Sequence, residues 1–244
     1  MALLVDSVGK RFYEKARGEF MACRDISFAV QDGEIFGLLG PNGAGKTTTL
    51  RIIATILRPT TGSAKLDDID IFLEPDKARS LMGFLSSNTG LYDRLTPAEI
   101  LHYFGRLCGM SEAEVKARSL QLAQSLDFEK YLHARCAGLS QGTRQKVSIA
   151  RAIVHNPRLM ILDEPSTGLD VLATQSMHDF ILQAKAQGKA ILLSTHSMDE
   201  AEKLCDRIGV INDGKLLAVG TIDELKATTG KTSLEAVFVN LVRN

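Results

Sequence analysis

The run Gly40-Pro41-Asn42-Gly43-Ala44-Gly45-Lys46-Thr47 has the spacing G-x-x-x-x-G-K-[ST] of a loop that holds phosphate. Its glycines let successive backbone N–H groups turn inward around phosphate oxygens, where a Cβ would clash. Lys46 adds a mobile point charge for the β- and γ-phosphates, the Thr47 hydroxyl can ligate Mg²⁺, and Thr48 carries the chain into a helix. The start of that helix presents the positive end of its dipole to an anion. The chemistry implied is capture of a polyphosphate together with its magnesium ion.

A second set of groups could act on that polyphosphate. Leu159-Met160-Ile161-Leu162-Asp163-Glu164 is an apolar strand pattern that stops on two acids, and Pro165 ends it. Neighbouring side chains on a strand point in different directions, so Asp163 can serve a magnesium shell while Glu164 faces the space beyond the γ-phosphate. A carboxylate there can orient or deprotonate an attacking water. His196 follows another apolar run, Ala190-Ile191-Leu192-Leu193, and precedes a capped helix. A lone histidine in that setting is more often a solvated surface group; beside the loop and the acid pair it suits a sensor of the γ-phosphate. A further helix start at Leu139-Ser140-Gln141-Gly142-Thr143-Arg144-Gln145 offers a second anion site, with Ser140 as N-cap and Gly142 permitting close backbone approach. The other histidines (His102, His133, His155, His178) carry no second signal and read as structural.

These groups need a scaffold. Short apolar or alternating runs predict strands over 2–8, 26–30 and 34–39, then a helix over 48–57, then β-like pieces at 63–71 and 81–85. Residues 96–152 read as mostly helix. Thr96-Pro97-Ala98-Glu99 and Ser111-Glu112-Ala113-Glu114 are capping boxes, and Ile100, Leu101, Phe104 and Leu107 form one apolar stripe. Alternation then resumes with a strand at 158–162, a helix at 172–186, a strand at 189–193 and a helix capped by Ser197. A hairpin turns at Asp213-Gly214, and 221–244 reads as a short capped helix and a C-terminal tail. This alternation predicts a mostly parallel α/β core, with ligands beyond the C-terminal ends of its strands. One domain spans 1–244, with a nucleotide-binding core over 1–90 and 153–220 and a helical insertion over 91–152.

The bulk composition narrows the function classes. The 244 residues carry 29 Lys+Arg against 29 Asp+Glu and are 45% hydrophobic, an ordinary globular makeup with no net charge. That balance argues against a broad nucleic-acid footprint. No apolar run reaches the roughly 18 residues of a membrane helix, and Asp6 interrupts the N-terminus before any secretory pattern develops. Cys23, Cys108, Cys136 and Cys205 are scattered without a C-x-x-C and read as buried thiols of a reducing cytosol.

Taken together, these motifs resemble the nucleotide-binding subunit of an ATP-binding-cassette (ABC) transporter over nearly the whole chain. Residues 40–47 resemble its Walker A loop, 159–164 its Walker B strand with the catalytic glutamate, and 139–145 its LSGGQ signature. Ser166-Thr167-Gly168-Leu169-Asp170 resembles the D-loop and His196 the switch histidine, while Phe12 (or its neighbour Tyr13) matches an aromatic that stacks on adenine. The resemblance implies an α/β P-loop NTPase (RecA-like) core with an N-terminal antiparallel β subdomain and an inserted helical subdomain. It implies ATP and Mg²⁺ as cofactors, with Lys46, Glu164 and His196 catalytic and Thr47 and Asp163 on the metal. It also implies a head-to-tail homodimer, in which one copy's 40–47 loop faces Ser140 and Gly142 of the other; Asp170 joins the nucleotide-binding set. A separate multi-span membrane permease would be the second partner, with this chain peripheral on the cytoplasmic face of the membrane.

Gly90-Leu91-Tyr92-Asp93-Arg94-Leu95-Thr96 and Leu234-Glu235-Ala236-Val237-Phe238 resemble exporter-class members, sodium-extrusion and drug-resistance subunits among them. Two departures stand out. Gln141 replaces a usual glycine of the signature, and Ser87, with Asn88 beside it, stands where the family has its Q-loop glutamine. A serine is too short to reach both magnesium and the attacking water. Two rivals remain at this level: a soluble cassette acting on nucleic acid or ribosomes, which the single cassette and zero net charge disfavour, and a non-catalytic cassette.

Overall fold

The computed structural model of the chain describes residues 1–15, 18–86 and 90–243. Strands β1 (Leu3–Glu14) and β2 (Gly18–Val30) pair antiparallel, from Leu3 opposite Val30 to Glu14 opposite Gly18. Both run beyond the short strands expected, because ladder pairing continues through the polar stretch where apolar alternation stops. Strand β3 (Ile35–Leu39) leads into the glycine-rich loop and helix α1 (Lys46–Ile53). That helix is shorter than the 48–57 run expected; Thr55, with φ of 60°, takes the chain out of the helical region. Strands β4 (Thr61–Leu66) and β5 (Ile69–Asp70) complete an antiparallel sheet in the order β2-β1-β4-β5. Helix α2 (Pro75–Ser80), unanticipated from sequence, precedes β6 (Met82–Leu85).

The middle of the chain is helical, as its caps foretold. Helices α3 (Pro97–Leu107), α4 (Glu112–Ser125) and α5 (Gln141–Ile153) follow one another, and both expected capping boxes close. Ile100 and Leu101 are fully buried, but Leu107 departs from the expected stripe at 64% exposed. It ends its helix, and the chain turns at Gly109 (φ 83°) before a neighbour covers that last turn. Cys108 beside it is also exposed, against the expectation of four buried thiols; Cys23, Cys136 and Cys205 are buried.

The remaining elements are β7 (Leu159–Asp163), α6 (Val171–Ala186), β8 (Ala190–Thr195), α7 (Met198–Leu204), β9 (Arg207–Asn212), β10 (Lys215–Gly220), α8 (Ile222–Thr229) and α9 (Leu234–Arg243). The second sheet has the order β10-β9-β3-β8-β7-β6, parallel throughout except where β10 returns beside β9. Residues 234–243 are therefore not a tail. Leu234, Val237, Phe238 and Leu241 recur at helical spacing, and Leu234 and Val237 are buried in the core.

Period-two alternation divides the core between the two faces of the parallel sheet. Ile35, Leu39, Met160, Leu162, Ile191 and Leu193 pack toward α5, α6 and α9. Phe36, Leu38, Leu159, Ile161, Ala190 and Leu192 pack toward α1 and the antiparallel sheet. The two sheets meet where Phe28 stacks on Phe36, ring centroids 4.7 Å apart and 7° from parallel. Phe36→Ala should cost about 3–5 kcal/mol in urea unfolding, whereas Leu107→Ala should stay within about 0.5 kcal/mol. Equal losses would contradict this layering.

Candidate functional site

Strands β3, β7 and β8 lie side by side and parallel, so the loops leaving their C-terminal ends emerge together. This brings the glycine-rich loop after β3, the acid pair at the end of β7 and His196 after β8 to one edge of the sheet. The loop after β3 is fixed by close approach. Gly43 and Gly45 have φ of 82° and 103°, and a Cβ on Gly45 would stand 2.6 Å from the Ala22 carbonyl oxygen. The β9–β10 turn clamps it from the other side, with Gly214 N–H donating to the Ala44 carbonyl at 3.0 Å.

Helix α1 then starts at Lys46 with no side-chain cap and no acid in its first turn, leaving its N-terminal donors and dipole to a ligand. Lys46 is 4% exposed. Its Nζ donates to the carbonyls of Gly40 (2.7 Å) and Pro41 (3.1 Å) and lies 3.4 Å from Glu164 Oε1.

The two acids are adjacent in sequence and sit in opposite environments. Asp163 is fully buried; its Oδ1 accepts from Ser194 Oγ at 2.7 Å and Thr47 Oγ1 at 3.1 Å. Its Oδ2 is buried with no hydrogen-bond partner among the described residues. An orphaned carboxylate oxygen beside a hydroxyl is a hard oxygen donor set, which fits a small divalent cation such as Mg²⁺. Glu164 has a φ of 50°, a left-handed conformation that turns its carboxylate out of the strand direction. His196 Nδ1 lies 3.3 Å from its Oε2, and Thr167 Oγ1 donates to the same oxygen at 3.2 Å. Partial burial alone would raise the Glu164 carboxyl. The His196 hydrogen bond and the Lys46 ammonium outweigh it and hold the group below the usual carboxylate range.

Lys46, Thr47 and Glu164 border a cleft of about 890 Å³, whereas Asp163 and His196 lie outside its lining. Residues 41–48 line it, as do Glu164 and Phe12. Of the two candidate aromatics, Phe12 faces the cleft while Tyr13 is 76% exposed. Phe20, the cross-strand partner of Phe12, lines it too with ring centroids 5.9 Å apart. Sequence reading missed Phe20, although the β1–β2 register places it opposite Phe12. It also missed Ser194, the Asn212–Lys215 turn and the end of α9, whose approach is purely tertiary.

The second helix start stands apart. Ser140 caps α5, accepting from Thr143 N–H at 3.3 Å, and neither it nor Gly142 lines the cleft. Gln141 packs over Gly168, where an added Cβ would lie 2.8 Å from its Nε2, and Gln145 Nε2 donates to the Pro165 carbonyl at 2.9 Å. Asp170 caps α6 through Ala173 N–H at 2.8 Å and also lies outside the cleft lining. Ser87 and Asn88 fall outside the described residues.

Residues 23–167 match the protein family described as "ABC transporter". The chain belongs to that family. Across 96% of both chains it is 41% identical to "ABC transporter ATP-binding protein NatA" of Bacillus subtilis. It is 38% identical to "Doxorubicin resistance ATP-binding protein DrrA" of Mycobacterium tuberculosis, covering 97% of this chain and 71% of that one. Among solved structures, "Structure of ATP binding subunit of ABC transporter" superimposes with a TM-score of 0.88 at 32% identity, over 99% of this chain and 100% of that one. A dimeric post-hydrolysis cassette, MJ0796 bound to ADP and Pi, gives 0.81 at 25% identity over 90% and 98%. The chain is thus an ATP-binding and ATP-hydrolysing subunit of an ABC transporter, with a P-loop α/β fold. Its relatives are transporter subunits, which answers the rival reading of a cassette acting on nucleic acid or ribosomes. Among the described residues, no helix is long and apolar enough to cross a membrane.

The Glu164 environment sets a measurable sign. A carboxyl held below its unfolded value contributes stability that is complete above the unfolded pKa and lost as pH falls through the folded one. Lys46→Met removes one of the lowering influences, so the Glu164 carboxyl should titrate at higher pH by carbon-detected NMR; an unchanged titration would show that the pair is not coupled.

Proposed function

We propose that this chain powers export through a separate multi-span membrane subunit, sitting on the cytoplasmic face of the membrane and hydrolysing ATP between two copies of itself. The nucleotide-binding core is 1–90 with 153–220, and the helices within 91–152 form a subdomain that carries Ser140 and Gly142 to the second copy. The support for this pairing is the separation of Ser140 and Gly142 from the cleft within one chain, together with the dimeric state of the related cassette MJ0796. With no net charge on the chain, nucleic acid has no part in this reading.

The observation that carries the catalytic assignment is Glu164, held ionised between Lys46 and His196 at the edge of the cleft. The loop N–H groups of 40–47 and the start of α1 bind the phosphates, with Phe12 against the base. Lys46 follows the β- and γ-phosphates, and Thr47 and Asp163 would hold Mg²⁺. When bound, that ion neutralises charge on the phosphate oxygens. Glu164 takes a proton from the attacking water as its oxygen bonds to the γ-phosphorus and the bond to the β,γ-bridging oxygen breaks. His196, 3.3 Å from Glu164, keeps that carboxylate oriented and lies ready to donate to the γ-phosphate.

Glu164→Gln should slow phosphate release by about 100-fold or more while ATP-dependent dimers accumulate in light scattering. Undiminished release would remove the general-base role. Ser140→Arg should abolish those dimers yet leave ATP binding by the single chain intact; normal ATP-driven dimers in that variant would rule out the composite site.

A further inference from the structure

We propose that the last turn of the C-terminal helix α9 is part of the nucleotide site, supplying an apolar wall against the base. The proposal rests on reading the cleft as the ATP site, and it assigns a role to residues that no motif covers. Leu241 and Val242 line the same cleft as the phosphate loop.

The lining divides by chemistry. Backbone N–H groups, Lys46 and Thr47 suit phosphates, Glu14, Arg24, Asp213 and Lys215 add charged groups, and Phe12, Leu217, Leu241 and Val242 are apolar members of the lining. A triphosphate gains nothing from aliphatic carbon, but the faces of a purine do. The wall is held in place. Leu234 and Val237, two turns and one turn earlier in α9, are 1% and 0% exposed, and Leu241 packs against the same core cluster. Val242 points at the cleft without belonging to that cluster, so its burial is available to a ligand. Leu217, on β10, is 38% exposed and adds to this surface from the sheet edge.

The test compares ATP with inorganic tripolyphosphate, which carries the charge and lacks the base, in magnesium-containing buffer by calorimetry. Two variants of the full chain are used: Val242→Ser, which leaves the α9 anchors untouched, and a deletion of residues 241–244. The deletion should weaken ATP binding by about tenfold, and Val242→Ser should weaken it in the same direction by less. Tripolyphosphate binding should not change in either variant. Unchanged ATP affinity in both variants, or equal weakening of both ligands, would overturn the role of α9. A wild-type chain that bound neither ligand would instead remove the cassette reading of the cleft, and this inference with it.

Discussion

A buried ammonium at the electropositive start of a helix is the constraint on which the rest of the structure turns. Lys46 is almost wholly withdrawn from water, and the dipole of α1 adds positive potential where its charge already sits. Burying such a charge is costly unless it is paired and hydrogen-bonded. Two loop carbonyls and Glu164 supply those partners. The same concentration of positive potential is what a triphosphate answers. Glu164, the residue after β7, adopts a left-handed backbone beside Lys46, a cost concentrated at the site.

The architecture follows from the need to hold that group still. Parallel order places β3, β7 and β8 together, so the loop, the acid pair and the histidine arrive from different parts of the chain. The antiparallel sheet does a second job. Its strand β2 backs the phosphate loop so tightly at Ala22 that only glycine fits at 45, and the β9–β10 turn closes over Ala44. Ser194 links the ends of β7 and β8 by donating to Asp163 and accepting from the Glu164 N–H, which ties both acids to one side chain. The helix start at Ser140 is fastened in turn to the 165–168 segment through Gln141 and Gln145. In this chain the unusual Gln141 therefore has a packing role of its own over Gly168.

What could be read from sequence was what depends on neighbours in sequence. The glycine spacing of 40–47, the capping boxes at Thr96 and Ser111, and the acids closing β7 are local signals, and each formed where expected. Helix α9 was missed although its apolar residues recur at helical spacing and Ser233 caps it by accepting from the Ala236 N–H at 3.2 Å, because so short a stretch at the end of the chain reads equally well as a tail. Leu107 was misplaced because periodicity assigns a face without saying whether anything covers its end. The Phe20, Ser194 and Asn212–Lys215 contributions depend on strand order and on close approach between the sheets, which no local pattern encodes.

The phosphate loop and its lysine are the seat of nucleotide binding in this chain. Calorimetric titration of the purified chain with ATP and magnesium, run in parallel on Lys46→Ala, tests this most directly. Saturable binding by the wild type and an affinity lower by about tenfold or more in the variant are the predicted results. Equal affinities, or no heat of binding from the wild type, would contradict it.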